Sequence, residues 1–428
     1  MPSLKNLFLM SAAFLFASTA QAQYNYSKDI SKIFQAKCQQ CHREGDIAPF
    51  ALDSYTAASD WADDIKSAVS EKRMPPWKPI SGFNSFRDAY GLSDEERSMI
   101  INWVDAGKPE GDPADLPEPL PNTGEWNLGE PDMIIQMPVT FEVPARKDTY
   151  RCFVIPTNFT EDRWVSAAQY VPGNKKVVHH IIGYLDTNDA SAKYDGKDGN
   201  PGYDCFGGPG DGVADSISGM LGGWAPGTRE RLLQDGIALK IPKGAKIVLQ
   251  VHYFANGKRD QTDKSKLGIY FSKSAQNKQL VYLPLLNNKF KLPPGEDNVE
   301  VGANFLVPPF YDATAYRVGP HMHLLGRKIK VERVNANKTL DPMVFINDWD
   351  FNWQGFYTFE EPMRLPALSQ LKVTCNFDNS DKNPRNPNSP QKIVGWGEGT
   401  EDEMCIAFVG LVFDRQGLPF VSFRNPAK

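Results

Sequence analysis

The stretch "CQQCH" at residues 38–42 combines two thiols, three positions apart, with an imidazole directly after the second thiol. This spacing is the attachment pattern of a c-type haem, in which two cysteines hold the porphyrin covalently and a histidine ligates the iron. Cys38 and Cys41 are therefore the predicted attachment residues, and His42 is a predicted axial ligand. The rest of the chain is far longer than a haem-binding segment needs, so it should have a further function.

The second axial ligand is expected to be a methionine, because His42 is the only histidine before residue 179. Met74, in the stretch "RMPPW", lies on a predicted loop whose prolines hold the chain extended. Met99 lies inside a predicted helix beside two isoleucines, where packing is the expected role. The sequence therefore predicts a His42–Met74 pair, and a methionine ligand suits an electron carrier of relatively high potential.

The other five histidines occur in three tight groups within strand-like stretches: His179 with His180, His252 alone, and His321 with His323. Residues two apart on a strand share a face, so the last pair can bind one metal ion. Adjacent residues point to opposite faces, so the first pair can do so only at a strand end, a twist or a β-bulge. A lone histidine on an apolar strand is usually a core residue, but three tight groups favour metal binding.

The residues around the haem motif are predicted to be mostly helical. Residues 26–37 carry apolar side chains at helical spacing, and residues 92–107 begin with Ser93 as N-cap and Glu96 at the capping-box position. An early helix before the motif and a late helix after it resemble the layout of a small class I cytochrome c.

The chain is therefore predicted to be multidomain. Residues 23–108 are expected to form a small all-α cytochrome c domain, and the Pro-rich, acidic residues 109–130 a linker. Beyond them, short alternating stretches such as "KIVLQVHYF" and "QLKVTCNF" indicate all-β structure. This part exceeds one ordinary sandwich, so two antiparallel, jelly-roll-like sandwich domains are expected at residues 131–286 and 287–428.

The N-terminus and composition predict an exported protein. Residues 1–22 read as a signal peptide, with Lys5, an apolar run and a small-residue cleavage site. No later segment has the ~18 uninterrupted apolar residues of a membrane span. The net charge of −5 without a long basic run argues against nucleic-acid binding. The expected location is the bacterial periplasm or the extracellular space.

Four cysteines remain outside the haem motif: Cys152, Cys205, Cys375 and Cys405. An even number in an oxidising compartment predicts two disulfides, and the sequence alone permits three pairings. A zinc site built on them is disfavoured, because none has a cysteine neighbour at metal-ligand spacing.

Five short motifs occur in the order seen in the copper type II monooxygenases, the family of peptidylglycine α-hydroxylating monooxygenase and dopamine β-monooxygenase. They are "VVHH", "WAPG", "LQVHYF", "PHMHLLG" and "DEMC", and the resemblance covers roughly residues 131–415. It implies two β-sandwich domains, two copper ions, and disulfides Cys152–Cys205 and Cys375–Cys405.

The resemblance also implies two copper ligand sets. The electron-transferring copper would be bound by His179, His180 and His252, and the oxygen-binding, catalytic copper by His321, His323 and Met404. A thioether is a soft ligand that favours Cu(I), and zinc could not use electrons from a haem, so the donor types themselves favour copper.

The function so predicted is hydroxylation of a C–H bond of a small organic substrate with O2. The haem, reduced by an upstream donor, would supply electrons to the His179/His180/His252 copper. Two alternatives remain: a non-catalytic haem and copper electron-transfer or copper-handling protein, and an adhesion or carbohydrate-binding module with structural histidines.

The substrate is not predicted by the sequence. In the peptide-amidating branch, an Asn and a Tyr help to hold the substrate carboxylate, and Ile406 and Phe408 stand at those positions here. A substrate ending in a carboxylate is therefore in doubt. Arg317 is a candidate anchor with a structural role as its alternative, and the aromatic residues 348–359 could line a pocket or belong to the core.

Overall fold

The computed structural model describes residues 24–44, 46, 48–87, 89–121, 124–214, 219–255 and 257–415. The predicted signal peptide, residues 1–22, lies outside them. The chain divides into two compact units. One combines residues up to 75 with residues 92–119, and the other combines residues 76–91 with the chain from residue 120 onwards.

The first unit contains short helices around a small apolar core. The helices are a π-helical turn Tyr26–Ile30, α1 (Ser31–Lys37), α2 (Tyr55–Asp60), α3 (Ala62–Ser70), α4 (Asp94–Asp105) and a 3-10 turn Pro113–Asp115. Phe34, Ile100 and Trp103 are fully buried in this core. The predicted capping box is confirmed: Glu96 N donates to Ser93 Oγ, and Ser93 N donates to the Glu96 carboxylate.

The prediction of a small all-α cytochrome c domain is wrong. The protein is mostly β, and its longest described helix, α4, has 12 residues. Residues 76–91, which the prediction placed in the α-domain, pack with the β-unit instead. The Trp77, Phe83 and Phe86 rings of this segment contact aromatic rings on β-strands. Burial of these apolar side chains therefore favours packing of the segment with the β-unit.

The β-unit is all-β, as predicted. Its strands are β1 (Met133–Gln136), β2 (Phe141–Glu142), β3 (Thr149–Pro156), β4 (Arg163–Val171), β5 (Val178–Asp186), β6 (Tyr203–Asp204), β7 (Met220–Trp224), β8 (Ile237–Ile241), β9 (Lys246–Tyr253), β10 (Thr262–Asp263), β11 (Lys266–Phe271), β12 (Lys278–Asn287), β13 (Lys291–Leu292), β14 (Val299–Leu306), β15 (Ala313–His321), β16 (Gly326–Val334), β17 (Leu340–Ile346), β18 (Tyr357–Leu365), β19 (Gln370–Phe377), β20 (Val394–Gly395) and β21 (Cys405–Phe413). A 3-10 turn, Ala190–Lys193, follows β5.

Three sheets build two sandwiches. A five-stranded sheet (β6-β3-β9-β5-β7) belongs to the first sandwich, and a four-stranded sheet (β14-β19-β16-β17) belongs to the second. An eight-stranded sheet (β1-β11-β4-β8-β12-β21-β15-β18) runs through both. The strands β8 and β12 join its two halves by a short parallel pairing, and each sandwich has its own apolar core.

Residues 76–91, called the edge segment below, cover the edges of two sheets of the second sandwich. Ile80 N donates to Phe345 O on β17, and Arg87 N donates to Thr358 O on β18. Phe86 is 8% exposed and forms part of the second sandwich's core. The segment thus satisfies backbone groups that edge strands otherwise leave unpaired.

None of the described helices has the length and hydropathy needed to cross a bilayer.

Candidate metal centres

The first histidine group converges on one point. Ring nitrogens of His179, His180 and His252 all lie within 4.8 Å of one another. His179 Nδ1 and His180 Nδ1 are 3.3 Å apart. Three imidazoles at this spacing can bind a single metal ion.

A β-bulge allows the adjacent histidines to converge. β5 pairs with β9 in regular register except between Val178 and His180, so that His179 is the extra residue. His180 lies directly opposite His252 in this pairing. A bulge turns a side chain out of the strict alternation of a strand, which is how His179 reaches the side occupied by His180.

His252 is oriented by a carboxylate and an aromatic ring. Its Nε2 lies 3.4 Å from Asp148 Oδ2, and its ring stacks on Tyr150 with centroids 4.0 Å apart. Although burial opposes ionisation of Asp148, its hydrogen bonds with His252, Ala255 N and Thr400 Oγ1 lower its pKa to about 2. The carboxylate is therefore ionised at neutral pH and fixes the imidazole from behind.

The second histidine pair lies where β15 ends. His321 and His323 have ring centroids 5.0 Å apart, while Met322 between them is fully buried in the core. His321 Nδ1 is 2.5 Å from Gln354 Oε1, and His323 Nδ1 is 2.9 Å from Asp402 O. Because both Nδ1 atoms have partners, the Nε2 atoms are the ones left to bind a metal.

The turn after β15 is fixed to Met404 through a buried carboxylate. Glu403 accepts hydrogen bonds from the backbone nitrogens of His323 (2.9 Å), Leu325 (2.5 Å) and Met404 (3.3 Å). Burial raises the pKa of Glu403 to about 8. Ile406, two residues after Met404, lies opposite His321 in the β15–β21 pairing. The chain around His321 and His323 is thus fixed relative to the chain around Met404.

Burial keeps four of the histidines, His179, His180, His321 and His323, neutral. It lowers the pKa of His179 to about 3 and that of His321 to about 4. It also lowers the pKa values of His180 and His323 well below the usual range. Neutral imidazoles present a lone pair, the form that binds metals.

Both histidine groups lie at one cavity. The cavity has a volume of about 270 Å³, and its wall includes His180, His321, His323 and Met404. The Phe351 ring contacts one histidine of each group. It stacks on the His179 ring with 4.7 Å between centroids, and it meets the His323 ring edge-on with 5.5 Å between centroids.

The predicted disulfides are present. Cys152 on β3 is bonded to Cys205, and Cys375 on β19 is bonded to Cys405 at the start of β21. The second bridge links two sheets of the second sandwich directly beside Met404.

The predicted haem residues all lie in the helical unit. Cys38 and Cys41 are outside any disulfide, and both are half-buried. His42 Nδ1 is 3.0 Å from Phe50 O, which leaves Nε2 as the ligand atom. Met74 lies in the turn after α3, where its N donates to Ala68 O. Met99 packs against the helical core, as expected.

The residues present fit both cofactors. Among the described residues, His252 Nδ1 is a buried nitrogen with no hydrogen-bond partner, which a metal ion at the first histidine group would satisfy. At the second group, two imidazoles and a soft thioether line the same cavity, and these neutral donor types suit copper. The thiols and the oriented His42 match covalent haem attachment.

Several positioning residues were not recognised from the sequence. Asp148, Gln354, Phe351 and Glu403 each contact a candidate ligand, but only Glu403 lies within a motif. Residues 348–359 divide between both predicted roles: Gln354 and Phe356 line the cavity, while Trp349 belongs to the core.

Comparisons with known proteins give a family match in the second sandwich. Residues 311–414 match the family model "Copper type II ascorbate-dependent monooxygenase, C-terminal domain". This range contains His321, His323 and Met404. The chain is similar to that family in its second sandwich.

Curated relatives align with a longer part of the chain than the family model does. DBH-like monooxygenase protein 1 of Mus musculus is 22% identical over 289 residues, and that of Homo sapiens is 23% identical over 287 residues. Each alignment covers 62% of this chain and 45% of the relative, so the chain spans less than half the length of these relatives. Together the similarities relate part of this chain to copper type II ascorbate-dependent monooxygenases and to DBH-like monooxygenases.

Similarity to solved structures is weak. The crystal structure of the infectious bursal disease virus VP2 subviral particle reaches a TM-score of 0.20 at 8% identity, covering 68% of this chain and 76% of that chain. This value is too low to indicate a shared fold.

Proposed function

We propose that this chain is an exported copper monooxygenase that hydroxylates a C–H bond of a small organic substrate. The observation that carries the proposal is the single cavity wall shared by His180, His321, His323 and Met404. The balanced reaction joins the substrate C–H, O2, two electrons and two protons to give C–OH and water. Bound copper would supply the oxygen activation and one-electron chemistry of this reaction.

The protein residues hold and shield the reacting groups. Burial keeps four of the five site histidines neutral, and Asp148, Gln354 and Glu403 fix the orientation of three of them. The cavity wall is mainly apolar, so a substrate would be held there largely by hydrophobic contacts.

The electrons are proposed to come from a c-type haem held by Cys38 and Cys41, with His42 and Met74 as axial ligands. The oriented His42 imidazole supports this assignment. A one-electron carrier in the same chain would replace or supplement a small reductant, and it would itself be reduced by an upstream donor.

The two disulfides support export. Each bridge closes a loop, of 53 and 30 residues, and such bonds persist in oxidising compartments. The proposed location is the bacterial periplasm or the extracellular space.

The test compares Met404→Ile with Met363→Ile, a control at a half-buried methionine on β18. Oxygen uptake is measured with copper-loaded, reduced protein against a panel of small organic molecules. Met404→Ile should lose substrate-dependent uptake by more than the roughly 10–100-fold caused by loss of an outer-shell partner. The control should keep it.

Metal analysis should find two copper ions and one iron per chain. If copper binds but no molecule in the panel stimulates oxygen uptake, the proposal fails in favour of a non-catalytic electron-transfer protein. Unchanged turnover in Met404→Ile would also overturn it.

A further inference from the structure

The cavity between the candidate copper sites is walled mainly by apolar side chains. Its wall includes the side chains of Trp224, Leu286, Phe356, Trp396, Ile406 and Phe408. Such walls favour hydrocarbon groups, because each buried CH2 group contributes about 0.8 kcal/mol.

The cavity offers no positive charge to a substrate. Among the described residues that line it, none is lysine or arginine. The anchor predicted from the sequence, Arg317, does not line the cavity and is 4% exposed. Its guanidinium carbon lies over the Phe356 ring, 5.3 Å from the ring centroid. Arg317 Nη1 is already paired with Glu230 Oε1 at 3.1 Å and donates to Tyr282 OH at 3.1 Å. A substrate carboxylate would therefore be buried without a counter-charge, which is costly.

The polar groups on the wall are mostly occupied by protein partners. Gln354 bonds with His321 and with Phe351 O, and Gln250 Nε2 donates to Cys205 O. Tyr150 OH donates to Glu398 O. The one lining carboxylate, Glu398, accepts a hydrogen bond from Gly207 N at 2.8 Å and so is turned toward the neighbouring loop.

We propose that this cavity binds an uncharged, mainly hydrocarbon substrate that lacks both a carboxylate and an ammonium group. This inference rests on the proposed function, since it names the molecule whose C–H bond is hydroxylated. The ion pair between Arg317 and Glu230 is the feature that excludes carboxylates, because it neutralises the cation that lies over the Phe356 ring of the cavity wall.

A set of shape-matched ligands tests the proposal by binding alone. Propylbenzene, 2-phenylethylamine and 3-phenylpropionate share a phenylalkyl skeleton and differ in charge. Binding to the full-length, disulfide-intact protein without copper is measured by calorimetry and by tryptophan fluorescence, which Trp224 and Trp396 should report. Propylbenzene should bind at least about tenfold more tightly than either charged ligand, a difference of 1.4 kcal/mol.

Each other result overturns the proposal. Tightest binding of the amine would assign Glu398 as a cation anchor, and tightest binding of the carboxylate would mean that Arg317 leaves Glu230. Absence of binding by all three ligands would mean that the cavity does not bind uncharged, mainly hydrocarbon molecules.

A variant tests the role of the ion pair. Glu230→Gln removes the negative partner of Arg317 and should increase affinity for 3-phenylpropionate about tenfold or more. Glu300→Gln, at an exposed position on β14, is the matched control and should not change it. Equal carboxylate affinity in folded Glu230→Gln and in the wild type would refute the masking role.

The binding assay and the activity assay fail independently. Selective binding of propylbenzene without oxygen uptake would leave the substrate class standing and refute the monooxygenase. Oxygen uptake stimulated only by a charged ligand would do the reverse.

Discussion

At the scale of single residues, the two ring nitrogens of His252 lie in different environments. Its Nε2 faces the ionised Asp148, whereas its Nδ1 is buried without a partner. A buried imidazole nitrogen left unpaired has a free-energy cost, which a metal ion shared with His179 and His180 would remove. Asp148 then acts by holding the ring in the ligand orientation.

Replacing Asp148 tests this arrangement. Asp148→Asn keeps the size of the side chain but removes the charge, so copper affinity at the His179/His180/His252 site should fall about 10–100-fold. Competition titration with a Cu(I) chelator measures this affinity. Asp297→Asn, at an exposed loop position, provides the comparison and should leave it unchanged. Equal affinities in the two variants would show that Asp148 does not orient the ligand.

Which residues gather at the site was partly predictable from local spacing. The two histidines of the His-x-His pair can converge through the side-chain alternation of a strand alone, and their spacing can be read directly from the sequence. The convergence of His179 and His180 needs a bulge at Val178–His180, which depends on the pairing of β5 with β9. Asp148, Gln354 and Phe351 come from other segments, so no spacing rule connects them to the histidines.

At the scale of elements, the edge segment pairs with β17 and β18, which its position in the chain does not predict. It lies between α3 and α4 in the chain, which suggested a loop of the helical part. Its actual partners, β17 and β18, are more than 240 residues further along, and non-local pairing of this kind leaves no local pattern. The all-β sandwiches, by contrast, follow from short alternating stretches, although the sheet shared through β8 and β12 does not.

The edge segment should stabilise the second sandwich through Phe86. Truncating this buried ring in Phe86→Ala should lower the free energy of unfolding by about 3–5 kcal/mol, the cost of a large core cavity. Urea unfolding measures the loss, and hydrogen exchange should accelerate at β17 and β18. Phe83→Ala, a half-buried ring on the same segment, should cost clearly less. Equal losses of unfolding free energy in the two variants would mean that Phe86 does not stabilise the second sandwich through its burial.

The Lys78 side chain gives the same segment a link to the site. It pairs with Asp348 at 3.1 Å and Asp350 at 3.8 Å, directly before Phe351 and Gln354. Those two residues contact histidines of both groups. The stretch of chain that follows the predicted haem ligand Met74 therefore helps to hold the loop between the candidate copper sites.

At the scale of the whole molecule, the Cys375–Cys405 disulfide lies next to the second site in the chain, because Cys405 follows Met404. Cys375–Cys405 closes a 30-residue loop, so the double variant Cys375→Ala/Cys405→Ala should lose about 3–4 kcal/mol of unfolding free energy. Because Cys405 adjoins Met404, copper affinity at the His321/His323/Met404 site should also fall. The variant Cys152→Ala/Cys205→Ala should destabilise the first sandwich while sparing that affinity. Identical copper binding in both variants would contradict the link.

The chain as a whole combines a candidate one-electron carrier with two candidate copper sites, whereas hydroxylation consumes two electrons. Under the proposed function, single-electron transfers within the molecule would therefore be needed in each cycle. When ferrous protein is mixed with Cu(II) in a stopped-flow instrument without oxygen, the ferrous haem spectrum should disappear as copper is reduced. His252→Ala should slow this reoxidation, since the proposed acceptor is the His179/His180/His252 copper, whereas His323→Ala should not.

Two results would separate the possible failures. A ferrous spectrum that persists for minutes in copper-loaded wild type would refute electron delivery by the haem and leave an external reductant as the source. Reoxidation slowed by His323→Ala but not by His252→Ala would instead assign the His321/His323/Met404 copper as the first acceptor. In that case electrons would enter at the site where oxygen is proposed to react, and the copper at the first histidine group would supply the second electron.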